Sequence, residues 1–261
     1  MKHILCTLLY ALSLGAVQAQ SSGHKAAAVI AAYMDASGGY KSIDSLFKAM
    51  YRRTTVRKAI NDNPRSALWR RVPLLSLREE YSRRSGAFVT ITTDLTTGNT
   101  SYLGLTQDHA WQWDSTGELR IDTTFLFESL WQDIGENNGL YDPLNLHPSC
   151  QDEPARWLRE DFEAGRAYDV IALGGYGHEY WFDQNTKLLA KVVTSGGTFH
   201  HYFKEYHKVQ GVWVAHEMIS VKNGALAIEE KIDSIRFLPE IDDEVLAAAT
   251  YMIAGRDKDD D

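Results

Sequence analysis

Cysteine is nearly absent from this chain: there are two in 261 residues, Cys6 and Cys150. Cys6 lies in an N-terminal apolar stretch that reads as a removable leader, which leaves one, and a lone cysteine closes no internal disulfide. Packing alone must hold the core, and the length allows it. Cys150, within Pro148-Ser149-Cys150-Gln151, has no Cys-His signature around it and reads as a bystander. Long apolar runs are also missing. The stretch Ile4 to Val17 is short and interrupted, and nothing later approaches the roughly 18 consecutive apolar residues of a membrane-spanning helix. Basic charge is in deficit, with 27 Lys and Arg against 35 Asp and Glu. Phosphate backbones and anionic lipid surfaces both require Lys and Arg, so nucleic-acid binding and membrane-surface residence are excluded as default readings.

Catalytic signatures are missing as well. The chain contains no Gly-x-Ser-x-Gly elbow, no HExxH, no CxxC pair and no glycine-rich dinucleotide fingerprint. Gly174-Gly175-Tyr176-Gly177 joins two strand-like runs and precedes no helix, so it reads as a turn rather than a phosphate loop. Glu79-Glu80 and Asp242-Asp243 are adjacent, and strand neighbours point to opposite faces, which disfavours an acid/base dyad. Among the histidines, His201 and Glu205 would stand roughly 13 Å apart on a strand. Glu205 and His207 would need a third ligand such as His216 to hold a metal. Sheet histidines without a metal are the simpler reading, and no cofactor is expected.

What the chain does have begins with a processing signal. Lys2 and His3 supply the charged start, Ile4 to Val17 the apolar region, and Val17-Gln18-Ala19 the small-residue cleavage site. Cleavage after Ala19 removes 19 of the 261 residues and takes Lys and Arg from 27 to 26, for a net charge of about −9. Residues 20–252 then read as a single domain and 253–261 as a charged tail. Lys25 to Ala36 predicts a helix, with Val29, Ile30, Tyr33 and Met34 on one face and Ser37-Gly38-Gly39 as its stop. Tyr40 to Leu46 predicts one further helical turn. Strands are predicted over Phe47–Ile60, Trp69–Arg84 with a break near Pro73, Ala87–Asp94, Ser101–Leu105 and Ala110–Asp114. Ile121 to Ile134 carries apolar residues at helical spacing, followed by a long loop to Glu153. Ala155 to Asp161 reads equally as a helix or as half of a hairpin. From Tyr168 a meander of strands runs through turns at Asp183 to Thr186, Ser195 to Gly197, Gln210-Gly211 and Asn223-Gly224, with last strands over Val212–Val221 and Ala227–Phe237.

Two compositional excesses carry the functional reading. The N-terminal third is basic, with Arg52, Arg53, Arg57, Lys58, Arg78, Arg83 and Arg84 among its cations. A solvated sheet face is the plain account, and a patch for an acidic partner or headgroup the sharper one. Aromatic residues are the second excess. Trp111 and Trp113 share a strand face, Tyr180 and Phe182 share another, and Trp131, Trp157, Trp181 and Trp213 add more. Either helices cover the second face of the sheet, or a curved sheet encloses an apolar ligand cavity.

The order of Ala36-Ser37-Gly38-Gly39, Leu77-Arg78-Glu79-Glu80-Tyr81, Ala110-Trp111, Tyr168-Asp169-Val170, Tyr180-Trp181-Phe182-Asp183 with Thr186, His201-Tyr202-Phe203 and Gly211-Val212-Trp213 resembles the LolA-like family. These are periplasmic lipoprotein-sorting and lipid-binding proteins, and the chain is most similar to their longer branch. The resemblance implies an α+β, mostly β fold: an unclosed antiparallel β-barrel, a strongly curved sheet, wrapped over a few helices. It implies a periplasmic, non-enzymatic carrier or binder of an acyl-chain lipid or lipoprotein, connected with outer-membrane lipoprotein sorting. Trp111, Trp113, Phe125, Leu130, Tyr180, Phe182 and Trp213 are the ligand-binding residues expected from face and aromaticity, and Ile121 to Ile134 the candidate lid. Two other readings stay open: an envelope protein-interaction or sensor domain whose cavity is filled by its own side chains, and an enzyme acting on an apolar substrate.

Overall fold

A computed structural model describes residues 22–43, 50–59, 75–83, 87–105, 110–113, 119–122, 154–173 and 178–238. For 50–59, 75, 78–83, 87–88, 105, 110–113, 119–122, 195 and 237–238 the description is of the backbone. Among the described residues, thirteen antiparallel strands form one sheet: β1 Met50–Ala59, β2 Leu75–Arg83, β3 Ala87–Asp94, β4 Thr100–Leu105, β5 Ala110–Trp113, β6 Leu119–Asp122, β7 Arg156–Glu163, β8 Arg166–Leu173, β9 His178–Asp183, β10 Leu189–Thr194, β11 Phe199–Val209, β12 Val212–Lys222 and β13 Ala225–Leu238. Their order is β6-β5-β4-β3-β2-β1-β13-β12-β11-β10-β9-β8-β7. One long-range pairing, β1 with β13, joins the two meanders into a continuous surface. Twisted open sheets rarely exceed about 10 strands without curling. Here β6 and β7 remain as edges that do not pair among the described residues, so the fold is the expected unclosed barrel.

The hairpins follow from local turn chemistry. Three two-residue loops, Ala164-Gly165, Gln210-Gly211 and Asn223-Gly224, hold both residues at positive φ, the geometry that matches strand twist. Two longer turns are built alike. Asp94 Oδ1 accepts from Thr96 N–H at 2.7 Å and Thr97 N–H at 3.2 Å. Asp183 Oδ1 accepts from Asn185 N–H at 2.8 Å and Thr186 N–H at 2.9 Å. Four residues after each aspartate the chain takes a positive φ, at Gly98 and at Lys187.

The first helix, α1, covers residues 22–37, and residues 40–43 form the described part of α2. Gly39 N–H donates to Met34 C=O at 2.9 Å and Gly38 N–H to Asp35 C=O at 3.3 Å, closing the end of α1 as a glycine stop does. Ala26, Ile30, Tyr33 and Met34 are buried, which gives α1 its apolar stripe. They pack on Ile171, Phe182, Leu189, Val192, Phe203, Val212 and Met218 of the sheet. Each such fully buried side chain contributes roughly 1.5–3 kcal/mol.

Two expectations need correction or resolution. The helix predicted from Ile121 begins too early, because Ile121 and Asp122 belong to β6, pairing with Trp111 and Ala110. Leu119 and Ile121 alternate, and a neighbouring edge strand turned that short alternation into a ladder. Residues 123–134 of that prediction lie outside the described residues, as do the leader, residues 246–252 and the tail. The ambiguous segment at Ala155 is strand β7, paired with β8 across the Ala164-Gly165 turn.

Candidate functional site

Directly opposed residues of paired strands share a sheet face, so the strand pairings trace one face across the molecule. Phe203 pairs with Met218, Met218 with Glu230, Glu230 with Arg57, Arg57 with Ser76 and Ser76 with Asp94. Phe203 and Met218 pack in the α1 cluster, so this whole row belongs to the helix-side face. The next row runs Ile232, Thr55, Arg78, Thr92, Ser101. The one after runs Ile235, Arg53, Glu80, Thr90, Leu103. A bulge between Thr54 and Thr55 takes up one extra residue of β13, which keeps Ile232 and Ile235 on the same side.

This face changes character along the strand order. From β7 to β12 it is aliphatic and aromatic, and from β13 to β3 it turns polar. The length of α1 explains where the change falls. Sixteen residues of helix span about 24 Å, and the five strand spacings from β7 to β12 also span about 24 Å. At its start Ser22 Oγ donates to Trp157 C=O at 3.2 Å, and Lys25 Nζ sits 3.7 Å from the Trp157 ring centroid. Midway, the Tyr33 and Phe182 rings stand 5.2 Å apart. At its end Gly38 lies so close to the β11–β12 turn that a Cβ there would come 2.7 Å from Gly211 O.

At the boundary, polar groups become buried. His201 Nδ1 and Ser220 Oγ are 2.9 Å apart on paired strands. Burial pushes the His201 imidazole down to about 4, against the nearby negative charge of Glu230. Glu230 is 7% exposed, and Ser76 is fully buried. The opposite face over β7–β11 is a charged and aromatic stack. Arg159 makes paired bonds to Glu179 at 2.9 and 2.8 Å. Those bonds hold the Glu179 carboxyl below the usual carboxylate range. Buried Lys191 sits 3.3 Å over the Trp181 ring and pairs with Glu163.

The seven residues expected to bind ligand do not all come together. Tyr180 and Phe182 lie on the helix-side face, Phe182 only 2% exposed within the core and Tyr180 packed at its margin. Trp111 pairs with Gly104 and Trp113 with Tyr102, and their rows continue through Val89 and Ile91. The register therefore places Trp111 and Trp113 on the face opposite Phe182. Trp213 is 37% exposed beside the β11–β12 turn. Phe125 and Leu130 lie outside the described residues. Sequence reasoning passed over Ser76, Thr90, Ser220 and Glu230, whose only signal was a polar residue at an alternation step bound for a buried face. The His207 and His216 rings stand 4.4 Å apart, while Glu205 has φ +50, a break in the strand alternation. No group of three His, Cys, Asp or Glu able to hold a metal occurs among the described residues. None of the described helices is long and apolar enough to cross a membrane.

No family model matches the chain, and no curated protein matches it in sequence. Solved structures do. The chain is similar to a LolA superfamily protein from Nitrosomonas europaea, at 10% identity over 78% of this chain and 96% of that one, with a TM-score of 0.49. It is similar to a DUF1329 family protein from Desulfovibrio piger, at 14% identity over 83% and 95%, with a TM-score of 0.48. LprF from Mycobacterium bovis follows at 8% identity over 78% and 97%, with a TM-score of 0.29.

Proposed function

We propose that this protein is an exported, periplasmic, non-enzymatic binder or carrier of an acyl-chain ligand, a lipid or a lipoprotein. The ligand lies across the strands on the helix-side face. The observation that carries this reading is the junction on that face: one sheet surface, aliphatic beneath α1 and polar beyond it. An amphiphile has that same division along its length. Burying an acyl chain is worth about 0.8 kcal/mol per CH₂, so a greasy surface suffices without any catalytic group. Tyr180 and Ile232 sit at the margins of the aliphatic part and are the proposed contacts, with Phe182 as their support.

A second reading has its own observation. Ile171, Phe182, Val192 and Val212 are closed over by α1, which suits an envelope interaction or sensor domain filled by its own side chains. Native mass spectrometry separates the two. The chain, exported in a bacterial host and purified without detergent, should carry a stoichiometric acylated species that organic extraction releases. A bare protein mass, together with failure to take up a fluorescent fatty-acyl probe, would reject the carrier and leave the interaction domain.

A further inference from the structure

Among the described side chains, every lysine and arginine but one is either exposed or ion-paired with a carboxylate. Arg159 and Lys191 are withdrawn from solvent and are held by Glu179 and Glu163. The exception is Lys222 on β12, half-buried and without an ion pair among the described residues. A charge taken out of water costs free energy unless an opposite charge or hydrogen bonds offset it. The neighbour that Lys222 has is a ring. Its Nζ lies 5.1 Å from the centroid of Phe199, an attraction weaker than a carboxylate supplies.

The register fixes the face on which this cation stands. Phe199, His201 and Phe203 alternate on β11, and Phe203 packs beneath α1. Lys222 pairs with Phe199, and Ser220 with His201. Lys222 therefore lies on the helix-side face, at the end of the sheet away from the β11–β12 turn. Thr194 pairs with Phe199 from the other side, and Ala225 pairs with Lys222. No carboxylate stands directly opposite Lys222. Glu230, on the same face, pairs with Met218, four residues along β12 and roughly 13 Å away. Lys222, Phe199 and Thr194 are each half-buried, so this row keeps access to solvent where the cluster beneath α1 does not.

We propose that Lys222, beside Phe199 and Thr194, seats the carboxylate of a fatty acid at this end of the helix-side face. This rests on the acyl-binding reading and adds to it the head group of the ligand. A lysine is a point charge, unlike the planar fork of an arginine, and one such charge matches a head group that carries one negative charge. The contact with Phe199 has the lysine leaning along the row toward Thr194, whose hydroxyl is a further donor for a carboxylate oxygen. From β12 to β9 is three strand spacings, about 14 Å. A chain leaving Lys222 crosses Phe199 and Thr194 and reaches Tyr180 at the margin of the core, without entering the cluster beneath α1.

The test compares oleate with oleyl alcohol on the exported, delipidated chain by calorimetry, at about pH 8, well above the carboxylate range. The two share a hydrocarbon chain and differ in the charged head. Oleate should bind at least about tenfold tighter, the size of one charge-assisted hydrogen bond. Lys222→Gln should remove that difference and leave oleyl alcohol binding unchanged, whereas Lys222→Arg should keep it. Lys204→Gln, an equal charge change at an exposed site on β11, should leave it intact. A second readout needs no variant: bound oleate should protect Lys222 from acetylation by acetic anhydride, and should leave Lys204 as reactive as before, when the modified chain is mapped by mass spectrometry. Equal affinity for the two lipids overturns the carboxylate seat and spares the acyl-binding reading. A preference for oleate that survives Lys222→Gln, or a Lys222 acetylated equally with and without oleate, places the head group elsewhere and overturns the seat. Binding of neither lipid overturns both.

Discussion

At the scale of single residues, the turns show where this chain tolerates local cost. Gly98 and Lys187 occupy the same place in the two aspartate-capped turns, with φ of 74° and 61°. Glycine takes that conformation freely, whereas a side chain with a Cβ pays roughly 1–2 kcal/mol for it. Ala164 stands at φ 50° in a position where Asn223 serves its own hairpin. Lys187 and Ala164 are both exposed, so neither is retained for packing. Lys187→Gly and Ala164→Asn should therefore each stabilise the protein by about 0.5–1 kcal/mol, less the added freedom of glycine in the unfolded chain. Urea unfolding with an unchanged slope and a raised midpoint is the expected result. A lowered midpoint in both would mean that the positive φ carries no strain there.

At the scale of elements, α1 sets the division of the sheet, and its far end depends on a backbone contact. Gly38 has φ +133°, and an added Cβ would press on Gly211 O at 2.7 Å and Val212 Cα at 3.1 Å. Neither neighbour is a flexible side chain, so Gly38→Ala should cost about 2 kcal/mol or more, read as a lowered unfolding midpoint with the secondary structure retained. Wild-type stability in that variant would remove the proposed lock between α1 and the β11–β12 turn. The helix and this stop were legible in the sequence, because Val29, Ile30, Tyr33 and Met34 repeat at helical spacing and Ser37-Gly38-Gly39 ends them. So were β3 and the Asn223-Gly224 hairpin, whose signals are local. The division of faces was not. Alternation shows that Trp111 and Trp113 share a face. Whether that face is also Phe182's is a sum over every pairing between β5 and β9, including the bulges at Thr54 and beside Leu189. The basic N-terminal third was visible as composition, but its sorting into Arg53, Arg57 and Arg78 on one side and Arg52 and Lys58 on the other needed the register.

At the scale of the whole molecule, acid should act in two steps, because the buried imidazole and the bonded carboxylates lose their contributions over different pH ranges. His201 lies at the boundary of the aliphatic and polar parts, near Glu230, His178 and His200. Burial lowers its folded value to about 4 from an ordinary 6.5. Folding therefore keeps it neutral while the unfolded chain takes up a proton. The stability it contributes is whole above 6.5 and drains away as pH falls toward about 4. Glu179 and Asp161 are held below their ordinary values chiefly by hydrogen bonds from Arg159. Asp94 is held down by the Thr96 backbone N–H. Their contributions are present above the unfolded carboxylate range and are lost only as pH drops through their own lowered values. The first loss of stability on acidification should thus belong to His201, with an uptake of about one proton on unfolding between pH 6.5 and 4.5. His201→Gln keeps a polar partner for Ser220 and does not titrate. Its unfolding free energy should be flat across that window and then fall with the carboxylates at lower pH. An unchanged slope in the variant would assign the first step to another group.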